Sequence, residues 1–214
     1  VVPSISSVAV EDTNTTVKDK IAAFVKSLST LQVAITAAGI YGSTISSYRT
    51  SLDGVSYTAA SFTASKKLST AGNMTMTVTV TDSRGRTATY QTTFNVLDYA
   101  VPSIKKFSAE RCSSDGSAAQ LDGTNVRYAF EGRVNSLGGK NGLSCVVYYK
   151  LKSATAWTQA EKMSITSYNL SATNKLLTQT YDALNSYDLK VRLTDYFYYV
   201  EQSVSIVTKG VILD

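Results

Sequence analysis

Hydrophobic and polar residues alternate with a period of two along several stretches of this chain. The clearest stretches are residues 74–80, where Met and Val alternate with Thr, and residues 187–193, where Tyr, Leu and Val alternate with Asp, Lys and Arg. A period of two places the apolar side chains of a segment on one face of a strand. Both segments are therefore predicted to be β-strands with one buried and one exposed face.

Weaker alternation and turn signals predict the remaining elements. The predicted strands are residues 4–10, 32–38, 44–52, 57–63 and 87–97 in the first half and residues 104–112, 126–134, 143–152 and 200–208 in the second. Asp53-Gly54 predicts a hairpin, and residues 17–28 have apolar positions at helical spacing, which predicts a short helix or turn. The glycine-rich segment 136–142 predicts a mobile surface loop, and residues 160–180 are expected to hold less regular strands.

The chain also repeats itself. The sequence Val-Pro-Ser-Ile at residues 2–5 returns at residues 101–104, a shift of 99 positions, and residues 57–60 return in altered form at residues 157–160, a shift of 100. The two clearest strands each lead into Thr-Asp and are 113 positions apart, so the second copy carries an insertion. Such a duplication of alternating segments predicts an all-β protein made of tandem β-sandwich domains.

Each copy is long enough to bury a core of its own. The expected domains are residues 1–100 and residues 101–214. The link between them, Asp98 to Val101, is very short, and Pro102 fixes its own φ. The sequence therefore predicts two rigidly linked domains that have little independent motion.

Aromatic residues indicate the class of sandwich. Trp157 and Tyr57 take matching positions after a hairpin and are expected to lie in the two cores. Tyr181, Leu184 and Tyr187 precede a strand as the tyrosine corner does in immunoglobulin-like and fibronectin type III-like sandwiches. We therefore expect two domains of that class, and we expect Trp157→Ala to loosen only the second.

The charge of the chain is weakly positive and evenly spread. The net charge of +5 comes from eight Lys and Arg against six Asp and Glu in residues 1–100 and thirteen against ten in the remainder. Nucleic-acid binding normally needs basic residues clustered on one element. No segment is apolar over the length that a membrane-spanning helix needs. Neither nucleic acid nor membrane is an expected partner.

Both cysteines, Cys112 and Cys145, lie in the second copy. The first copy has none, so the fold does not require a disulfide. Cys145 lies on the apolar side of an alternating segment, which favours a small buried core residue with a free thiol. A disulfide between the two cysteines is the open alternative.

Catalytic chemistry is poorly represented in the sequence. The chain has no histidine, so histidine-dependent nucleophilic catalysis is excluded. The sequence contains no phosphate-binding glycine motif and no Cys-x-x-Cys pair. Asp115 and Asp122 could form a carboxylate pair or a calcium site, but each directly precedes Gly, which is typical of turn residues. We expect no catalytic, cofactor-binding or metal-binding residues, and no enzyme.

Exposed aromatic residues are better functional candidates. Tyr196, Phe197, Tyr198 and Tyr199 follow the central strand of the second copy, at the turn where the first copy has residues 83–86. Aromatic faces at a loop tip can stack on sugar rings or anchor a protein partner. The alternative is that some of these rings pack into the sandwich. The four residues are the candidate ligand-binding site of the chain.

A set of short motifs, typical of strand edges and turns, is distributed over both copies. These motifs are residues 24–27, 31–33, 38–48, 109–116, 122–124 and 209–214. They resemble segments of the large tail-tip and host-specificity proteins of siphophages that infect Gram-positive bacteria. The resemblance implies a virion component at the distal tail, assembled in the host cytoplasm. Immunoglobulin-like or fibronectin-like modules would serve there as spacers, platforms or contacts to surface polysaccharide.

Two functions follow from the resemblance and the aromatic turn together. The first is a structural segment that spaces or presents neighbouring modules of a longer tail protein. The second is a module that binds host cell-wall polysaccharide through aromatic loops. A fragment of a bacterial surface adhesin is a third possibility. The chain begins at Val1 with no leader segment, so we expect it to be part of something longer, without a signal peptide in this part.

Overall fold

A computed structural model describes residues 1–208 of the chain. The chain divides into two compact units, Val1–Tyr99 and Ala100–Asp214. Each unit is built from β-strands that form two antiparallel-rich sheets around one core. Whether residues 1–100 and 101–214 fold independently stays a prediction.

The first domain contains eight strands. They are β1 Ser4–Asp12, β2 Phe24–Val25, β3 Leu31–Ala38, β4 Ile45–Leu52, β5 Val55–Tyr57, β6 Ser61–Thr63, β7 Gly72–Asp82 and β8 Thr87–Leu97. One sheet has the order β1-β3-β6 and the other β2-β8-β7-β4-β5, with only the β2–β8 pair parallel. A single helical turn, Val17–Ile21, connects β1 to β2.

Up to residue 208, where the described part of the chain ends, the second domain contains seven strands. They are β9 Ser103–Cys112, β10 Asn125–Arg133, β11 Ser144–Leu151, β12 Thr158–Lys162, β13 Asn169–Leu176, β14 Tyr187–Thr194 and β15 Tyr199–Ile206. One sheet has the order β13-β10-β9 and the other β12-β11-β14-β15, with all pairs antiparallel. In both domains the chain crosses between the two sheets, for example from β3 to β4 and from β10 to β11, as in immunoglobulin-like and fibronectin type III-like sandwiches. Both domains belong to that fold class.

Strand alternation builds the two cores. Met76, Val78 and Val80 of β7 are fully buried in the first domain, and Leu189 and Val191 of β14 are fully buried in the second. The intervening residues point outward because successive side chains of a strand alternate between faces. The predicted central strands are thus confirmed, and each supplies the middle of its core.

The tyrosine corner is present in the second domain. The backbone N–H of Asp182 donates a hydrogen bond to the hydroxyl of Tyr187, at 3.1 Å, at the start of β14. Tyr181 is fully buried and makes an edge-to-face contact with Tyr187. Leu184 is 84% exposed and takes no part. The sequence therefore predicted this corner correctly, except for Leu184.

A buried arginine holds the same end of the second domain together. Arg111 is 4% exposed and its guanidinium lies over the Tyr187 ring. It donates hydrogen bonds of 2.7 to 3.3 Å to the backbone carbonyls of Gly123, Tyr181, Asp182, Asn185 and Val207. The planar guanidinium can serve several acceptors at once, so this one side chain ties β9 to the tyrosine corner and to the residue that follows β15.

The structure corrects the predicted position of Trp157. Its ring is half-buried and lies under Lys150 and Lys190, on the outer face of the sheet, rather than in the core. Tyr57 does pack against the first core, where it stacks on Phe62 with ring centroids 4.2 Å apart. Matching sequence positions therefore take different places in the two domains, since Tyr57 is the last residue of β5 whereas Trp157 precedes β12.

Three smaller predictions change in part. Residues 57–63 contain the last residue of β5 and all of β6, which belong to different sheets. The prediction of a short helix or turn in residues 17–28 is confirmed for the turn Val17–Ile21, whereas Phe24–Val25 form β2. The loop 136–142 was predicted to lie on the surface, yet Leu137 and Asn141 within it are buried. Asp53 and Gly54 do form the predicted hairpin, with positive φ at both residues.

The two cysteines are free and buried. Cys145 lies in the core of the second domain, and burial raises the pKa of its thiol to about 12. The prediction of a buried free thiol is confirmed for Cys145. A thiol that remains protonated at neutral pH is a packing residue and a poor nucleophile.

We predict that Arg111→Lys destabilises the second domain by about 2 to 4 kcal/mol, because a lysine has three donors and leaves buried carbonyls without partners. Urea unfolding measured by the fluorescence of Trp157, the single tryptophan, reports on this domain. Arg133→Lys is the matched control, since Arg133 is exposed. Equal stabilities of the two variants would contradict the role assigned to Arg111.

Candidate functional site

The candidate aromatic residues lie at the turn between β14 and β15. This turn lies beside the loop 134–143, which connects β10 to β11. In antibody variable domains the corresponding loops lie at one end of the sandwich and form the binding surface. The candidate site is therefore at a loop end of the second domain.

One carboxylate organises the turn. Oδ1 of Asp195 accepts hydrogen bonds from the backbone N–H groups of Phe197 and Tyr198, at 2.7 and 2.8 Å. The backbone N–H of Asp195 donates to the carbonyl of Tyr198. A carboxylate that accepts backbone donors two and three residues later fixes a tight turn. The backbone that carries the aromatic rings is thus held in one conformation.

A buried asparagine connects this turn to the neighbouring loop. Asn141 is 6% exposed, and its Nδ2 donates to Oδ2 of Asp195 at 3.1 Å and to the carbonyl of Asn135 at 2.8 Å. The hydroxyl of Tyr168 donates to the Asn141 carbonyl at 2.8 Å. Sequence reasoning missed Asn141, because its segment Gly-Gly-Lys-Asn-Gly indicates only flexibility.

The aromatic rings are partly exposed on this support. Tyr196, Tyr198 and Tyr199 are 47%, 46% and 61% exposed, and Phe197 is half-buried. The Tyr196 ring lies directly on Gly142, where an added Cβ would come within 2.4 Å of the ring. Gly142 is therefore required for this close approach, which leaves the rest of the Tyr196 ring accessible to a ligand.

In the first domain an aspartate also fixes the turn after the central strand, but its side-chain partner is an arginine. The side-chain hydrogen bonds from Arg86 hold the pKa of Asp82 well below its usual range, and Oδ1 of Asp82 accepts the backbone N–H groups of Arg84 and Arg86. Arg86 Nη2 also donates to the hydroxyl of Ser43 in the loop before β4. An aspartate at the end of the central strand therefore joins the same two loops in both domains, but the first domain presents no aromatic cluster there.

A second aromatic group lies on the outer face of the sheet β12-β11-β14-β15. Cations and rings alternate along it, with cation-to-centroid distances of 4.6 to 5.9 Å. In spatial order the members of this cation–aromatic row are Lys150, Trp157, Lys190, Tyr148, Arg192 and Tyr199. Only Tyr199 was a candidate from sequence. The alternation of β14 already indicated that Lys190 and Arg192 point outward, but the partners come from other strands.

The acidic turn residue Asp115 has a structural role. Oδ1 of Asp115 accepts hydrogen bonds from the Ser113 hydroxyl and from both the backbone N–H and the hydroxyl of Ser117. The Ser113 hydrogen bond contributes most to lowering the pKa of Asp115 to about 2. The interpretation of Asp115 as a turn residue is confirmed. Within residues 1–208, no group of three or more His, Cys, Asp and Glu residues is placed to hold a metal ion.

The sequence model of one protein family matches residues 1–214, the whole chain. Its description is "Siphovirus protein of unknown function (DUF859)". The chain belongs to this siphovirus family. No curated protein is similar enough in sequence to count as a relative. Within the described part of this siphovirus protein, no helix has the length and apolar character needed to cross a bilayer.

Solved structures give distant likenesses. The chain is 15% identical to three N-terminal domains of the bacteriophage RB49 highly immunogenic outer capsid protein, covering 94% of this chain and 68% of that one, with a TM-score of 0.41. It is 16% identical to a Ca²⁺-stabilised, ice-binding adhesin of an Antarctic bacterium, with 96% and 49% covered and a TM-score of 0.48. For carbohydrate-binding modules of the β-sandwich superfamily the identity is 12%, with 96% of each chain covered and a TM-score of 0.37. No function is taken from likenesses this weak.

The structure gives a physical account of one motif that suggested siphophage proteins. Within residues 109–116, Glu110 accepts hydrogen bonds from Arg127 at 2.7 and 2.9 Å, and Arg127 also donates to the carbonyls of Gly116 and Ser117. Together with Arg111 and Asp115, these contacts fix the loop after β9. The segment 209–214, which also suggested the family, lies outside the described residues.

We predict that Asn141→Ala lowers the stability of the second domain by about 1 to 3 kcal/mol, because the buried carboxylate of Asp195 loses a partner. It should also speed hydrogen exchange of the Phe197 and Tyr198 amides, measured by NMR. Asn169→Ala, at an exposed position of β13, is the control. Unchanged exchange at the turn would show that Asn141 does not support it.

Proposed function

We propose that this siphovirus protein is a non-enzymatic structural segment of a tail-tip or host receptor-binding protein, located in the virion. Its two sandwiches would space or present neighbouring modules of a longer tail protein. The observation that carries the proposal is that the buried charged side chains bind the backbone of turns and loops.

Those side chains hold loops and turns. Within residues 1–208 the buried charged residues are Asp12, Asp82, Arg111 and Asp195. Asp12 accepts the backbone N–H groups of Asn14 and Thr30, and the other three bind turns and loops as described above. Buried charges are costly, and catalytic sites often retain them for chemistry. In this protein they fix the conformation of turns and loops, which suits a spacer.

The location is tested with antibodies raised against this chain. We expect immunogold electron microscopy of gradient-purified phage particles to label the distal tail, because a spacer between tail modules is a permanent part of the particle. Antibodies against the major capsid protein serve as the control for particle integrity. Label found only on the capsid, or lost from intact purified particles, would contradict the proposal.

A second candidate function is binding of host cell-wall polysaccharide at the aromatic turn. Three tyrosines are exposed on a turn whose backbone is held by Asp195 and Asn141. A fixed backbone lowers the entropy lost when a ligand is bound. The match to a siphovirus family favours both of these functions over a bacterial adhesin fragment.

Cell walls isolated from a Gram-positive host test this second function. We expect the chain to sediment with them and the double variant Tyr196→Ser, Tyr198→Ser to bind about tenfold less, because stacking surface is lost. Tyr90→Ser is the control, since Tyr90 of the first domain is also partly exposed. Equal sedimentation of the double variant and the wild type would reject this site.

A further inference from the structure

We infer that the outer face of the sheet β12-β11-β14-β15 is a binding surface for a polysaccharide that carries carboxylate groups. The inference goes beyond the aromatic turn, because it concerns the cation–aromatic row that runs across the sheet from Trp157 to Tyr199. Either site can fail without the other.

The row is continuous across the three strands β11, β14 and β15. Lys190 Nζ lies 4.6 Å from the centroid of the Trp157 ring and 5.5 Å from that of Tyr148. The Arg192 guanidinium lies 5.9 Å from the Tyr148 centroid and 4.7 Å from that of Tyr199. The cations alternate with three rings, of which Tyr199 is exposed and Tyr148 and Trp157 are half-buried. An extended chain of sugars is the kind of ligand that meets several rings in succession.

The first domain shows that the fold does not need this row. Under the shift of 113 positions, Thr77 and Thr79 correspond to Lys190 and Arg192. Lys190 is paired with Tyr148 in the register of the sheet, whereas Thr77 is paired with Ser51.

The same holds for the third ring. Thr194 is paired with Tyr199, and its counterpart Thr81 is paired with Thr87. The first domain therefore builds the same sheet with Ser and Thr at all four positions. Aromatic rings and long cations at these positions of the second domain need a reason other than folding.

The charges of the row favour an anionic ligand. Lys150 is paired with Asp188 at 3.1 Å, but Lys190 and Arg192 share the single carboxylate of Glu201, at 3.1 and 2.6 Å. Only Nε of Arg192 donates to Glu201, and among residues 1–208 its terminal nitrogens have no hydrogen-bond acceptor. The exposed Lys162 lies on the same face, opposite Val146. A carboxylate from outside would complete the coordination of Arg192.

The combination of features selects the ligand class. Free guanidinium donors bind carboxylates with two parallel hydrogen bonds. The exposed Tyr199 ring and the half-buried Tyr148 and Trp157 rings provide apolar area for sugar rings at little entropic cost. A neutral glycan would leave the charge excess unused, and an acidic peptide would leave the flat rings unused. A uronate-containing polysaccharide uses both.

Affinity electrophoresis of the purified chain in gels with polygalacturonate is the test. We expect strong retardation that weakens as ionic strength rises, because exposed charges are screened, and little retardation by neutral dextran or by poly-L-glutamate. The double variant Arg192→Thr, Tyr199→Thr installs the residues of the first domain and should bind about tenfold more weakly. Thr79→Ala with Thr87→Ala, at the corresponding positions of the first domain, should bind like the wild type.

The outcomes separate the possibilities. Absence of retardation by polygalacturonate, equal retardation by poly-L-glutamate or dextran, or wild-type binding by the double variant would each overturn the inference. Thermal unfolding followed by Trp157 fluorescence checks that the variant is folded. If it is not, Lys162→Glu, which changes only an exposed side chain, must weaken binding or the inference fails. The variant Tyr196→Ser, Tyr198→Ser should retain polygalacturonate binding even where it loses binding to cell walls.

Discussion

The aspartate at the end of the central strand is the residue on which the loop end of each sandwich depends. Asp82 and Asp195 each accept hydrogen bonds from backbone N–H groups of the following turn. Asp82 also binds Arg86, which contacts the loop before β4, and Asp195 binds Asn141 of the loop before β11. A turn and a loop have no sheet partners for their backbone groups, and buried polar groups without partners are costly. One carboxylate solves this problem in both domains and so decides where the loop side chains are presented.

The two domains diverge on this common frame. In the first, hydroxyls cover the exposed face of the sheet and pair across strands, as Thr75 does with Thr93 at 3.0 Å. In the second, rings and cations cover the corresponding face. Both arrangements stabilise a sheet through cross-strand contacts, but only the second contains aromatic rings that alternate with long cationic side chains. A duplicated sandwich can thus keep one copy as a spacer while the other acquires a recognition surface.

The opposite end of the second domain is closed by Arg111, which has no carboxylate partner within residues 1–208. Arg111 satisfies its donors with five backbone carbonyls, which converts a buried charge into a junction between β9, the tyrosine corner and the end of β15. With one end fixed by Arg111 and the other by Asp195 and Asn141, the sheet between them is a rigid support. Rigid support is what both proposed roles, spacing modules and binding an extended glycan, require of a domain.

The sequence by itself determined the long strands, the duplication and the class of the fold. The period of two in residues 74–80 and 187–193 follows directly from burial of one face. The turns at Asp53-Gly54 and Asp115 depend on the backbone preferences and hydrogen bonds of neighbouring residues. Only the tertiary structure decided that Trp157 faces outward and that Asn141 is buried, since both depend on side chains more than thirty positions away, such as Lys190 and Asp195. Local pattern fixes which face of a strand is buried, whereas the partners of a loop residue are fixed by the packing of distant segments.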